Sequence, residues 1–233
     1  MTMGENDLYK GYHYHQDFKS GMGLKYKQVL ELTRGDQSVL EVGCHSGYLG
    51  EVLKKRGNKV WGVEINREAA RSAEQFYEKV FTGSIEDQNI WDAISRKYDV
   101  ILFLDVLEHL VNPRSVLVKS RELLYPGGFI IATIPNVASY GVRKELLFGR
   151  YDYQDSGVLD KTHLRFFTFY SARQFIKDCG YSVVDWSVTK CDLPLEYKLP
   201  FFRPVYDWSR SFLSRSFPNL FGVVVLFKAV PQK

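Results

Sequence analysis

Cysteine is scarce in this chain of 233 residues: Cys44, Cys179 and Cys191 are the whole supply. An odd number without metal-ligand spacing argues for a reducing cytoplasm over a secreted disulfide scaffold. Long apolar runs are missing too. The longest, around 100–107 and 221–227, are too short to cross a bilayer, and the opening MTMGENDLYK has no apolar centre of a signal peptide. Neither internal repeats nor low-complexity linkers occur. The formal charge is only +4 with Lys and Arg dispersed, so nucleic acid is not expected as a partner. These scarcities leave a single domain over 1–233, large enough to bury a real core. Aromatics are plentiful instead: 15 Tyr and 16 Phe, many in the last hundred residues.

The chain is organised around VLEVGCHSGYLG, residues 39–50. Val39, Leu40 and Val42 read as the end of a buried strand, residues 43–47 as a tight turn, and Tyr48 to Arg56 as a helix stopping at Gly57. Such a turn lets a ligand approach backbone N–H groups at a helix N-terminus. A dinucleotide fingerprint wants glycine at the first, third and sixth places. Those places hold Gly43, His45 and Tyr48, so two of three fail. An acid-x-Gly-x-x-x-Gly pattern remains, beginning at Glu41.

Before it, Leu24 to Leu32 carries apolar residues at helical spacing. After it, KVWGVEI (59–65) alternates as a second strand ending in Glu64, and a helix follows over about 67–78. Val80-Phe81 begins a third strand, with the turn Gly83–Asp87 behind it. YDVILFL (98–104) is the continuous apolar run of a central parallel strand. A helix from Pro113 and a strand over 129–134 lead to Pro135-Asn136. Helix 171–179 and strands near 181–188 and 222–230 complete seven. Strands alternating with helices predict an α/β fold: a Rossmann-like, doubly wound, seven-stranded sheet with late aromatic-rich insertions over 137–170 and 189–220. Residues 1–22 form an N-terminal arm.

Glu64 stands at the end of the second strand, where a carboxylate can accept both hydroxyls of a ribose. With YDVILFLDVLEHLVNP (98–113), LLYPGGFIIATIPN (123–136) and LDKTHLRFFTFYSARQFIKDCGYSV (159–183) in the same order, the chain resembles class I S-adenosylmethionine (SAM)-dependent methyltransferases. It is similar to the ubiquinone-biosynthesis O-methyltransferase group, with relatives in bacterial surface-glycan synthesis. The resemblance implies SAM as cofactor, with Glu41, Gly43, Cys44 and Gly47 around its methionine end. It also implies Glu64 and Ile65 at the ribose, Ser84 and Ile85 at the adenine, and Leu104 against the cofactor. His45 departs from the glycine of many relatives. Lys25 resembles a basic residue that meets the SAM carboxylate, and as a residue it reads equally well as a solvated helix lysine.

A hydroxyl acceptor is barely ionised at neutral pH and needs a base or a metal. Asp105-x-x-Glu108-His109 leaves the fourth strand facing the crevice. In a helical turn these three would share a side, and two carboxylates with an imidazole can hold a divalent ion such as Mg. His163, 54 residues beyond His109, is the candidate fourth ligand. The set resembles that of small-RNA terminal 2′-O-methyltransferases, with Asp105 in place of a glutamate. Without metal, His163 and His109 are the candidate catalytic bases; the bland alternative is a helix cap with packed imidazoles.

The insertions carry the acceptor expectations. Arg143, Lys144, Arg150, Tyr151 and Tyr153 suit a sugar, phosphate or diphosphate, or form a solvated lid. The aromatic–basic segment 199–217 is a candidate for peripheral membrane contact, a cap or a homodimer surface. The first functional expectation is O-methylation of a sugar hydroxyl in a glycan precursor or nucleotide-linked sugar. Its alternatives are methylation of a small phenol or quinone precursor, and a non-catalytic SAM-fold partner of a biosynthetic enzyme.

Overall fold

The computed structural model describes residues 23–191 and 212–232. The N-terminal arm, 1–22, lies outside the described residues, as does the part of the aromatic–basic segment from 199 to 211.

Leu24–Leu32 forms α1 and Ser38–Val42 β1. Tyr48–Lys55 (α2), Lys59–Glu64 (β2), Arg67–Ala73 (α3), Lys79–Thr82 (β3) and Gln88–Ala93 (α4) follow. Tyr98–Leu104 (β4), Pro113–Ser120 (α5) and Leu124–Pro135 (β5) complete the parallel part of the sheet. Tyr140–Leu147 (α6) lies in the first insertion. Phe169–Asp178 (α7), Tyr181–Cys191 (β6) and Gly222–Pro231 (β7) end the chain. Local chemistry sets several starts. The Asn66 side chain accepts from the Glu68 and Ala69 N–H groups to cap α3. Asn112 caps α5 just ahead of Pro113, and Thr168 with Ser171 forms a capping box on α7.

The seven strands make one sheet in the order β3-β2-β1-β4-β5-β7-β6. β1 to β5 run parallel, and β7 is antiparallel to both its neighbours. Side-chain alternation divides the core between the two faces. Leu40, Ile101, Phe103, Ile130, Ala132 and Phe227 pack into one layer, and Val39, Val100, Leu102, Ile131 and Leu226 into the other. A sheet buried on both faces explains the near-continuous apolar run of β4.

Two boundaries and one additional helix are the main departures from the sequence pattern. α3 ends at Ala73 rather than 78 because the chain leaves the helix to pair: the Glu78 N–H donates to the Val60 carbonyl at 2.8 Å. β5 starts at Leu124 rather than 129, since Tyr98 pairs with Leu124 and a register shift absorbs the Pro126-Gly127-Gly128 turn. α4 is additional; Ile90 is its one buried residue, too little to make a period.

Strand order reverses between β1 and β4, which opens a crevice at the C-terminal ends of the two strands. Glu41, Glu64, Ser84 and Leu104 all lie at this edge because the parallel register aligns Val42 with Val63 and Phe103, and Glu64 with Thr82. The first insertion leaves the sheet at Val137 and returns at Phe167, whose carbonyl accepts the Val137 N–H at 2.8 Å. It therefore hangs over the same edge.

Candidate active site

The turn after β1 is built from left-handed residues. Gly43 (φ 77°), His45 (φ 46°) and Gly47 (φ 87°) reverse the chain into α2. A Cβ on Gly43 would lie 2.7 Å from the Val106 side chain, across the β1/β4 crevice, and one on Gly47 would lie 2.8 Å from Ala73 Cα. Both positions demand glycine for conformation and for room. His45 adopts the left-handed region without that freedom, and its N–H donates to Glu64 Oε2 at 2.8 Å. The Asn66 N–H donates to Glu64 Oε1, also at 2.8 Å. These two bonds hold the carboxylate at the end of β2, and each oxygen keeps lone pairs for a further donor.

Glu41 is buried and accepts from the Tyr77 hydroxyl at 2.5 Å; that hydroxyl in turn accepts the Gly50 N–H at 3.2 Å. Burial raises the Glu41 carboxyl to about 8, against the opposing Tyr77 hydrogen bond and Lys25 charge. Its contacts brace the turn from beneath. Cys44 is buried, with Sγ filling the space that Gly62 leaves open, and burial drives its thiol upward. Ile85 points into the core and Ile65 is exposed. The Ser84 hydroxyl accepts the Glu86 N–H at 3.2 Å. Leu104 is partly buried at the β4 end.

Past β4 the chain corrects the sequence expectation. Asp105 has φ 55°, and the turn that follows is a short 3-10 turn over Leu107–His109. Asp105 therefore precedes the turn and does not share a helical side with Glu108 and His109. Its carboxylate instead meets Lys25 Nζ at 2.6 Å and accepts the Thr133 hydroxyl at 2.6 Å. Burial raises the Asp105 carboxyl, but Lys25, Thr133 and His109 outweigh it and the net shift is downward. Asp105 is thus not among the clustered ligands, and Lys25 is an ion-pair partner in this structure.

Glu108, His109 and His163 do come together, with one ligand atom from each lying within 4.8 Å of the others. The imidazoles stand edge to face with centroids 4.7 Å apart. Glu108 is 1% exposed, and neither carboxylate oxygen has a hydrogen-bond partner among the described residues. Burial, then the Asp105 charge, hold its carboxyl well above the usual range. Burial, then His163, lower the His109 imidazole to about 4, and burial lowers His163.

The partners of the rings assign their tautomers. His163 Nδ1 lies 3.1 Å from the Val158 carbonyl, which can only accept, so Nδ1 carries the proton. His109 Nδ1 faces the Thr162 hydroxyl at 3.1 Å and the Thr162 carbonyl at 3.3 Å. For His163 the proton on Nδ1 leaves Nε2 as a lone pair. The loop is pinned to the β4 exit because the Leu164 and Arg165 N–H groups donate to the Glu108 carbonyl at 2.9 and 3.0 Å. Phe166 joins this loop to the insertion: its ring lies 6.2 Å from His163, 6.1 Å from Tyr151 and 6.3 Å from Tyr153. Arg143, Lys144 and Arg150 are exposed on and after α6, with Arg150 paired to Glu145 at 3.5 Å.

Tyr77, Thr133, Asp160, Thr162 and Phe166 are site residues that the sequence reading did not single out. For the last three a signal existed, the polar-aromatic run LDKTHLRFF, in which His163 drew the attention.

A family model described as a methyltransferase domain matches residues 14–185. Among curated proteins, the ubiquinone biosynthesis O-methyltransferase of Vibrio atlanticus is 31% identical over 121 residues, covering 48% of this chain and 50% of that protein. That of Vibrio parahaemolyticus is 32% identical over 127 residues, covering 50% and 53%. The chain spans about half the length of the curated relatives it matches. Among solved structures, the methyltransferase complexed with the Haloferax volcanii Trm112 methyltransferase activator aligns with TM-score 0.64 and 14% identity, covering 99% of this chain and 98% of that one. A SAM-dependent methyltransferase from Archaeoglobus fulgidus aligns with TM-score 0.63 and 18% identity, covering 93% and 99%. At these identities the structures establish the shared fold.

Proposed function

The chain belongs to the class I SAM-dependent methyltransferases, and from that premise we propose that it methylates a hydroxyl oxygen, in the first reading a sugar hydroxyl of a glycan precursor or nucleotide-linked sugar. The observation that carries the O-transfer reading is the centre of Glu108, His109 and His163, where a ring nitrogen of each imidazole and an oxygen of a carboxylate without a hydrogen-bond partner among the described residues lie within 4.8 Å of one another. A hydroxyl must lose its proton as the new bond forms, and the His163 Nε2 lone pair, opposite an Nδ1–H that the Val158 carbonyl accepts, can take it. The cofactor binds at the β1 turn, with Glu64 taking the ribose hydroxyls and the glycines admitting the methionine end. His163 Nε2 takes the acceptor proton as the oxygen–methyl bond forms and the methyl–sulfur bond breaks, leaving S-adenosylhomocysteine. Alignment of oxygen, methyl and sulfur supplies much of the rate.

The same donor set fits a divalent ion: the Glu108 carboxylate has no hydrogen-bond partner among the described residues, and a carboxylate with two imidazoles is a ligand set for such ions. Glu108, His109 and His163 would hold it, and its Lewis acidity would then acidify the hydroxyl. The rings of Tyr151, Tyr153 and Phe166 beside His163 suit the apolar face of a sugar, and the exposed Lys144 and Arg143 suit a diphosphate. A second reading, a phenol or quinone precursor, draws on the ubiquinone-biosynthesis relatives and suits the same rings.

Incubating the protein with deuteromethyl SAM and a panel of nucleotide sugars, glycans and catechols tests this, read by mass spectrometry. The expected result is a one-methyl gain on a sugar, reduced about 10²–10⁴-fold by His163→Ala. Transfer to catechols alone would replace the sugar reading with the phenol one. Methyl gain on nitrogen or sulfur would remove both.

A further inference from the structure

A lone pair is useful only if it points at the site, and in a neutral imidazole that depends on which nitrogen holds the proton. His109 is not held by a carbonyl alone. The Thr162 hydroxyl, its nearest Nδ1 partner, can donate or accept, so the tautomer of His109 depends on where that hydroxyl sends its own proton.

Asp160 decides the matter. Its carboxylate is 2% exposed, and Oδ1 accepts both the Thr162 hydroxyl at 2.7 Å and the Thr162 N–H at 2.8 Å. A hydroxyl that donates to a carboxylate has only lone pairs left for its other neighbour. It must then accept from His109 Nδ1–H, which leaves Nε2 bare. The Asp160 carbonyl also accepts the His163 N–H at 3.0 Å, so one residue fixes the backbone of one histidine and the tautomer of the other.

We infer that Asp160 and Thr162 are positioning residues: Asp160 accepts the Thr162 hydroxyl hydrogen bond, which leaves that oxygen to accept from His109 Nδ1–H and keeps the His109 lone pair on Nε2. Neither residue touches the reacting atoms. The inference rests on the proposed acceptor centre, but its direct readout, the tautomer of His109, needs neither acceptor nor ion.

The test is long-range proton–nitrogen NMR of the histidine rings in metal-free protein. In the wild type both His109 and His163 should carry the proton on Nδ1. Asp160→Ala frees the Thr162 hydroxyl to donate, so His109 should gain Nε2–H tautomer while His163 keeps Nδ1–H. Adding Thr162→Val to that variant removes the donor and should return His109 to Nδ1–H through the Thr162 carbonyl. Should Asp160→Ala fail to fold, Asp160→Asn keeps a weaker acceptor and should move His109 the same way by a smaller amount. A wild-type His109 found as Nε2–H, or a His109 spectrum unmoved by either Asp160 substitution, would overturn the inference.

A calorimetric titration with Mn²⁺ separates it from the ion reading. Asp160→Ala should weaken Mn²⁺ binding roughly 10–100-fold. Absence of Mn²⁺ binding by the wild type would sink the ion centre, and the tautomer spectra would still decide the role of Asp160.

Discussion

Gly47 combines a left-handed backbone with a Cβ position already occupied by α3, and a methyl group there meets both penalties at once. Gly47→Ala is expected to cost about 1–3 kcal/mol in stability and to weaken SAM binding at least tenfold, read by thermal denaturation and calorimetry. Glu41 shows where residue-level reading ran out. The resemblance implies Glu41 beside the cofactor; the Tyr77 hydroxyl, 36 residues later, donates to its carboxylate, and nothing local in the sequence pairs them. Its folded pKa of about 8 lies above the ordinary 4.5. A raised carboxyl stabilises the fold fully below pH 4.5 and loses that contribution as pH rises to 8. Melting temperature should therefore fall between pH 5 and 8.5 in the wild type and fall less in Glu41→Gln. Parallel curves for the two proteins would contradict this account.

At the scale of elements, the informative joint is between α1 and the exit of β4. The apolar spacing of α1 and the buried run of β4 are both visible in sequence, because each element reports its own burial. What they do to one another is not: Lys25 and Asp105 are 80 residues apart and meet at 2.6 Å. The positive φ of Asp105 ends β4 and turns its carboxylate toward α1, so the helical spacing read over 105–109 did not apply. Removing one member leaves the other as a largely buried, uncompensated charge. Lys25→Met is expected to destabilise by about 3 kcal/mol, whereas Lys25→Met with Asp105→Asn should recover much of that loss. Urea denaturation of the four proteins in the cycle measures it, and additive losses would show that the pair is uncoupled.

For the molecule as a whole, the two halves of the site differ in how they can be read. The proposed cofactor side consists of strand ends and their turns, contiguous in sequence and aligned by parallel register, so its fold and order were legible in the sequence. The proposed acceptor side is assembled by a loop that leaves at Val137 and returns at Phe167. His163 could be nominated from its residue type, but its neighbours Asp160, Thr162 and Phe166 gain meaning only once that loop closes on Glu108. Among the described residues no helix is long and apolar enough to cross a membrane. Calorimetric titration of SAM into wild type, Glu64→Ala and His163→Ala tests most directly whether the two sides are separate. Wild type and His163→Ala should bind one SAM with similar affinity, and Glu64→Ala should lose binding by at least tenfold. A wild type that takes up no SAM, or a Glu64→Ala protein that binds as the wild type does, would contradict the account.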